Sequence, residues 1–156
     1  MLVSMHDVLR ALAERQLTLA VAEGDTGGLL LERLTTAPGS SAVILGGVVA
    51  YADGLKSQLL QVSAELLRQH GAVSAEAARA MAAGVRQLAG ADIGLATTGI
   101  AGPGGATLTK PVGLAYVAAA TADAVLVREH HWHGDRHANR QSSVTAALAL
   151  LEELLQ

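Results

Sequence analysis

Leu17-Thr18-Leu19-Ala20-Val21-Ala22 runs directly into Glu23-Gly24-Asp25-Thr26-Gly27-Gly28 and then into Leu29-Leu30-Leu31-Glu32-Arg33-Leu34. The first six residues are apolar except Thr18, the pattern of a short strand buried on both faces. Three glycines then turn the chain, and the leucines resume at helix density. Strand, glycine turn and helix in immediate succession mark an α/β fold. Asp25 reads as the N-cap of a helix starting at Thr26.

Working outward, Ser4 and Asp7 form a capping box ahead of Met5, Val8, Leu9 and Leu12, so a helix precedes this strand and ends near Arg15. After the loop at 38–41, residues 42–51 read as a second strand whose Gly46-Gly47 pair points to a bulge or a close backbone approach. Three helices follow: 54–60, one capped by Ser63 and stopped at Gly71, and one capped by Ser74 and stopped at Gly90. Residues 93–98 form a third strand leading into Gly99-Ile100-Ala101-Gly102-Pro103-Gly104-Gly105. Residues 112–120 and 125–132 make a hairpin. Asp135 caps a last helix over 136–154 with a stripe of Val144, Leu148 and Leu151. The expected fold is a mixed sheet with helices on both faces.

Composition narrows the function classes. With 156 residues the chain has the ordinary length of one domain, taken as 1–156. It has no cysteine, which excludes disulfides, thiol nucleophiles and thiolate zinc sites. Aromatics are 2%, only Tyr51, Tyr116 and Trp132, so base stacking on aromatic platforms has no material. A net charge of −3 with 16% charged residues offers no nucleic-acid footprint. No signal peptide is expected at 1–10, nor an apolar run of membrane-span length. A cytoplasmic protein is the expectation.

Chemistry is expected where glycine turns follow strands. Residues 24–28, 46–54 and 99–105 all do so, and ligands of open α/β sheets bind beyond the carboxyl ends of strands. Glycines admit an anion close to the backbone, although none of the turns is a dinucleotide or P-loop motif. The two lysines, Lys56 and Lys110, each follow one of these loops, against nine arginines. A desolvated lysine can act as a base where arginine cannot, and Tyr51 with Lys56 could share a proton over one pocket; from spacing alone, ordinary surface residues are the simpler reading of both. Arg136 and Arg140 stand in a first helical turn, where positive charge opposes the helix dipole. They suit an anionic ligand such as phosphate, or are plain surface charge. His130, His131, His133 and His137 crowd together, but without a zinc motif a solvated strand end is the simpler reading, and no metal is expected.

Read together, Ala22-Glu23 with Thr26-Gly27-Gly28, Pro38 to Ala42, Gly46 to Tyr51, Lys56, His70 to Ser74, Thr98 to Gly105, Lys110 to Gly113 and Gly134-Asp135-Arg136 resemble the CinA C-terminal domain family. That family includes the stand-alone nicotinamide mononucleotide deamidases. The resemblance implies a three-layer α/β/α sandwich and a homodimer or higher homo-oligomer. It also implies metal-free, cofactor-free hydrolysis of the nicotinamide amide to nicotinate mononucleotide and ammonia. The partner is then a small phosphorylated nucleotide. Binding is expected from Gly27, Gly28, Gly46, Thr98, Gly99, Gly102, Lys110, Arg136 and Arg140. Tyr51 and Lys56 match the positions that assist the family's nucleophile. The nucleophile itself does not match: the family's Ala-Glu-Ser-Cys-Thr-Gly-Gly reads here with Gly24 for serine and Asp25 for cysteine. Loss of a hydrolase serine costs about 10⁶-fold in turnover, or roughly 8 kcal/mol of barrier. A degenerate site serving as a nucleotide-binding or regulatory module is therefore expected first. Weak or altered hydrolysis through an activated water or Thr26 comes second, and new chemistry with Thr26 or Asp25 as nucleophile third.

Overall fold

The computed structural model describes residues 4–156. Five strands form one sheet in the order β2-β1-β3-β4-β5. β1 (Leu19–Glu23), β2 (Ile44–Val49) and β3 (Ile93–Gly99) run parallel, while β4 (Leu114–Ala120) and β5 (Val125–His131) complete the sheet antiparallel. Every β1 residue is buried, the behaviour of a strand covered on both faces.

On one face lie α1 (Met5–Glu14), α2 (Leu29–Thr36) and α6 (Arg136–Leu155), packing Leu12, Leu30, Leu34 and Leu151 against Val21 and Leu95. On the other lie α3 (Asp53–Leu60), α4 (Ala64–His70) and α5 (Ala75–Ala89), where Leu60, Met81 and Val85 pack with Ala20, Ala22 and Ala96. This second layer is built from small side chains, which brings α5 very close to the sheet. A side-chain carbon at Gly94 would stand 2.0 Å from the Ala82 carbonyl oxygen. Aromatic residues are not needed to fill so thin a layer.

The expected elements are present: β2, β4 and β5 are shorter than expected, while α3, β3 and α6 each extend one residue further. Ser4 and Asp7 form the capping box, and Ser63, Ser74 and Asp135 each accept from a backbone N–H of the first turn. Both features anticipated at Gly46-Gly47 occur. The β1–β2 register shifts between Leu19 and Ala20, and a side-chain carbon at Gly47 would meet Val21 Cγ2 at 2.6 Å.

One local expectation is corrected. Asp25 is not an N-cap, because α2 begins at Leu29. Gly27 and Gly28 both take left-handed conformations, with φ of 60° and 105°, and spend four residues on a turn before the helix starts. Glu23 caps the helix instead: its carboxylate accepts from the Leu30 and Leu31 N–H groups at 2.8 and 3.1 Å.

Candidate functional site

The carboxyl ends of β1 and β3 open into a cleft of about 650 Å³. Its lining comprises Gly24 and Asp25, then Tyr51, Asp53 and Lys56, Ala72 and Val73, the run 98–105, and Arg136. The turns after β1, β2 and β3 thus meet at one place, where the chain direction of the sheet predicts a ligand.

Each wall is held by specific bonds. Thr98 Oγ1 donates to the Ala72 carbonyl at 2.7 Å, tying β3 to the turn before α5. The fully buried Asn139 donates from Nδ2 to the Ala101 carbonyl at 3.0 Å and accepts from the Gly134 N–H at 2.9 Å. The glycine-rich loop is thereby anchored to the start of α6. Gly99 presses against Asp25: a side-chain carbon at 99 would stand 2.9 Å from Asp25 Oδ2.

The reactive groups are disposed as follows. Gly24 is buried, and its nearest neighbours around an added carbon would be Thr97 O at 3.3 Å and Thr98 Cα at 3.6 Å, both on β3. Lys56 is only 3% exposed, carried inward by α3. Its Nζ donates to the Tyr51 carbonyl at 3.2 Å and lies 3.8 Å from Asp53 Oδ1. Burial pulls the Lys56 amine below the ordinary lysine range, against the opposing charges of Asp53 and Asp25. Asp25 Oδ1 is buried with no hydrogen-bond partner. Burial pushes the Asp25 carboxyl up, opposed by its own backbone N–H and by Arg140 and Arg136.

Several anticipated site residues have other roles. The Tyr51 hydroxyl is not hydrogen-bonded to Lys56: the residue is 64% exposed and its hydroxyl accepts from Arg136 Nη2 at 3.1 Å. Lysine reaches only the tyrosine's backbone. Thr26 cannot serve as nucleophile, since it is fully buried with Oγ1 donating to Glu23 at 2.6 Å and bonded to Thr97 Oγ1 at 2.7 Å. Lys110 lies outside the cleft, where Nζ donates to the carbonyls of His70 and Val73 and clamps the α4–α5 connection. Arg140 holds the turn between β1 and α2, donating to the Asp25 and Thr26 carbonyls, both at 2.9 Å. Gly27 and Gly28 serve that turn, and Gly46 sits in β2. Arg136 does face the cleft, with Nη1 donating to the Gly102 carbonyl at 2.8 Å.

The histidines disperse. His130 stacks on Trp132 with centroids 4.7 Å apart, and His131 pairs with Glu129. Among the described residues no three His, Asp or Glu side chains converge as metal ligands. Glu23 and Asn139 were missed as supports of the site. Glu23 had a signal, a carboxylate just ahead of a glycine turn and helix, whereas the reach of Asn139 across to Ala101 left no local trace.

The architecture and its motifs match one family over nearly the whole chain, the CinA C-terminal domain, across residues 3–155. The chain belongs to this family. A CinA-like protein of Desulfotalea psychrophila is 47% identical over 146 residues, covering 94% of this chain and 35% of the relative. A CinA-like protein of Geobacter is 48% identical over 144 residues, covering 92% and 35%. The chain therefore spans about a third of the length of the curated relatives it matches. Among solved structures, the competence/damage inducible protein CihA from Agrobacterium tumefaciens superposes with a TM-score of 0.94 at 37% identity, covering 97% of this chain and 93% of that one. A CinA superfamily protein from Enterobacter cloacae gives 0.92 at 28% identity, covering 100% and 95%. No helix among the described residues of this CinA domain is long and apolar enough to cross a membrane.

Proposed function

We propose that this CinA domain binds a small phosphorylated nucleotide of the nicotinamide mononucleotide class and acts chiefly as a nucleotide-binding or regulatory module. The observation that carries this reading is that the cleft lining holds a glycine at 24 and a buried lysine, Lys56, whose Nζ is bonded to a backbone carbonyl and not to a hydroxyl. The volume suits a mononucleotide, since ligand pockets run to about 300–1,000 Å³. Arg136 is the phosphate candidate, because its guanidinium can exchange the Gly102 carbonyl and Tyr51 hydroxyl for an anionic fork. Of the hydrolytic alternatives, the complete burial of Thr26 disfavours it as nucleophile relative to an activated water or Asp25.

Calorimetric titration with nicotinamide mononucleotide and nicotinate mononucleotide tests the reading. Binding of either at millimolar concentration or below supports it; binding of neither overturns it. Turnover of nicotinamide mononucleotide at about 1 s⁻¹ or faster, the ordinary enzymatic range, would overturn the module assignment. Self-association, implied by the family resemblance, belongs to the same proposal and is read by light scattering.

A further inference from the structure

We propose that Tyr51 is the aromatic platform of this cleft and sorts nucleotides by the charge of their ring, holding a cationic pyridinium against its face in preference to a neutral ring of similar shape. The inference rests on the reading above that a nicotinamide-type mononucleotide occupies the cleft. It names the part of that ligand the protein selects and the residue that selects it.

Four observations single out Tyr51. The first is place: of the three aromatic side chains, Tyr51, Tyr116 and Trp132, only Tyr51 stands on the cleft lining. One ring is no surface for a nucleic-acid strand, but one is enough to stack a single base. The second is access. The residue is 64% exposed, and among the described residues no other ring stacks on it. The third is that the residue is held from two sides. Lys56 Nζ donates to its backbone carbonyl at 3.2 Å, and Arg136 Nη2 donates to its hydroxyl at 3.1 Å while Nη1 holds the Gly102 carbonyl at 2.8 Å. A single guanidinium thus spans from the ring to the glycine-rich loop, and Gly104 on that loop has nothing within 4 Å of where a side chain would start. The fourth is charge. Asp53 also lines the cleft, two residues beyond Tyr51, with its side chain 63% exposed. The lining therefore offers a cation, Arg136, to a phosphate and an anion, Asp53, near the ring.

An aromatic face carries negative potential, so a cation over it is attracted beyond what area burial alone provides. The oxidised nicotinamide ring is such a cation, with its positive charge on the pyridinium. Its reduced dihydro form keeps the same carboxamide, ribose and phosphate but is neutral. The two ligands therefore differ in the property a tyrosine face reads. The hydroxyl has a separate part. Arg136 must leave it to grip a phosphate in a fork, so in the free protein it restrains the ring, and in the complex it adds nothing to stacking.

The experiment is calorimetry on the full chain with three probes: nicotinamide mononucleotide, its reduced dihydro form, and ribose 5-phosphate, which keeps the phosphate and lacks the ring. Wild type should bind the oxidised form about 3- to 30-fold more tightly than the reduced one. Tyr51→Leu, at an exposed position, should fold and should weaken the oxidised form about 5- to 100-fold, the usual worth of a stacked base. In that variant the preference between the two forms should shrink, and the affinity for ribose 5-phosphate should stay as in wild type. Tyr51→Phe keeps the face and removes the hydroxyl, so it should bind the oxidised form at least as tightly as wild type with the preference intact. An equal loss for all three probes in Tyr51→Leu would make the residue a piece of wall and overturn the inference. A loss in Tyr51→Phe as large as in Tyr51→Leu would assign the effect to the hydroxyl and overturn it too. Unchanged binding of the oxidised form by Tyr51→Leu, or a wild type that binds both forms equally, overturns the inference while leaving the nucleotide-binding reading standing. Failure of wild type to bind nicotinamide mononucleotide removes both.

Discussion

At Gly24 the backbone is compatible with a side chain, because its φ lies outside the left-handed region that Gly27 and Gly28 occupy. The tightest new contact for a serine is Thr97 O at 3.3 Å, which a shift of a few tenths of an ångström relieves. Gly24→Ser should therefore fold and place a hydroxyl in the cleft lined by Lys56. Ammonia release from nicotinamide mononucleotide is expected to rise well above wild type. Gly24→Ser with Asp25→Cys should outperform the single change, since the Asp25 charge favours the protonated lysine. Adding Lys56→Ala should abolish the gain; persistence of the gain would remove Lys56 from the reaction. Asp25 has a second consequence, for stability. Its folded-state pKa is raised, so the native chain holds that proton more tightly than the unfolded one. The group's contribution is fully present below the ordinary aspartate pKa and is lost as pH rises through the raised value. Asp25→Asn should thus gain stability relative to wild type on going from pH 4 to pH 8, read by urea denaturation at both. A variant that loses stability relative to wild type from pH 4 to pH 8 would contradict this.

Among the elements, α5 packs very closely against β3 and α3. A side-chain carbon at Gly94 would meet the Ala82 carbonyl oxygen at 2.0 Å, and one at Gly84 would meet the Leu60 carbonyl oxygen at 1.9 Å. Both obstacles are backbone, so neither can swing aside. Gly94→Ala should cost about 1–3 kcal/mol or more, checked by the shift in denaturation midpoint; a neutral result would mean that α5 can lift from the sheet. The α4–α5 connection depends on a different device. Lys110 supplies protons to two carbonyls there, and Lys110→Met should cost about 1–3 kcal/mol by leaving them unpaired. Thermal melting reads this directly. The element pattern itself was legible in the chain, since Ser4, Ser63, Ser74 and Asp135 all mark helix starts through purely local bonds. Asp25 misled for an equally physical reason. An aspartate ahead of a helix has the N-cap signature, but the two left-handed glycines after it delayed the helix and gave the cap to Glu23.

For the molecule as a whole, one sheet joins both helical layers, and α6 contacts both β3 and β4. Trp132, the single tryptophan, is tied into this frame by its Nε1–H donating to Ser143 Oγ at 2.9 Å. Unfolding should therefore be cooperative, as is usual for a single domain of about this size. Trp132 emission and far-ultraviolet circular dichroism should give the same midpoint in denaturant. Separated midpoints would show that the β5–α6 junction opens independently. Arg136 bridges the glycine loop and Tyr51 over the cleft, so Arg136→Ala should weaken nucleotide affinity several-fold with little loss of stability. Arg140→Ala should do the reverse, because that guanidinium is committed to the Asp25 and Thr26 carbonyls.

By itself the sequence determined what depends on neighbours in the chain: the alternation of strands and helices and the glycine turns that follow three of the strands. Apolar periodicity, caps and left-handed turns act over a few residues, so they can be read locally. Only the tertiary structure decided which polar groups remain available to a ligand. Lys110, Arg140 and Thr26 look free in the chain, yet each is consumed by backbone or side-chain partners brought from 37 to 115 residues away. Asp25 reads as a cap, yet its Oδ1, like His130 Nε2, is buried without a hydrogen-bond partner. A hydrogen bond has a short reach and a definite direction, so its partner is fixed by where the folded chain places the two atoms, not by residue type or spacing.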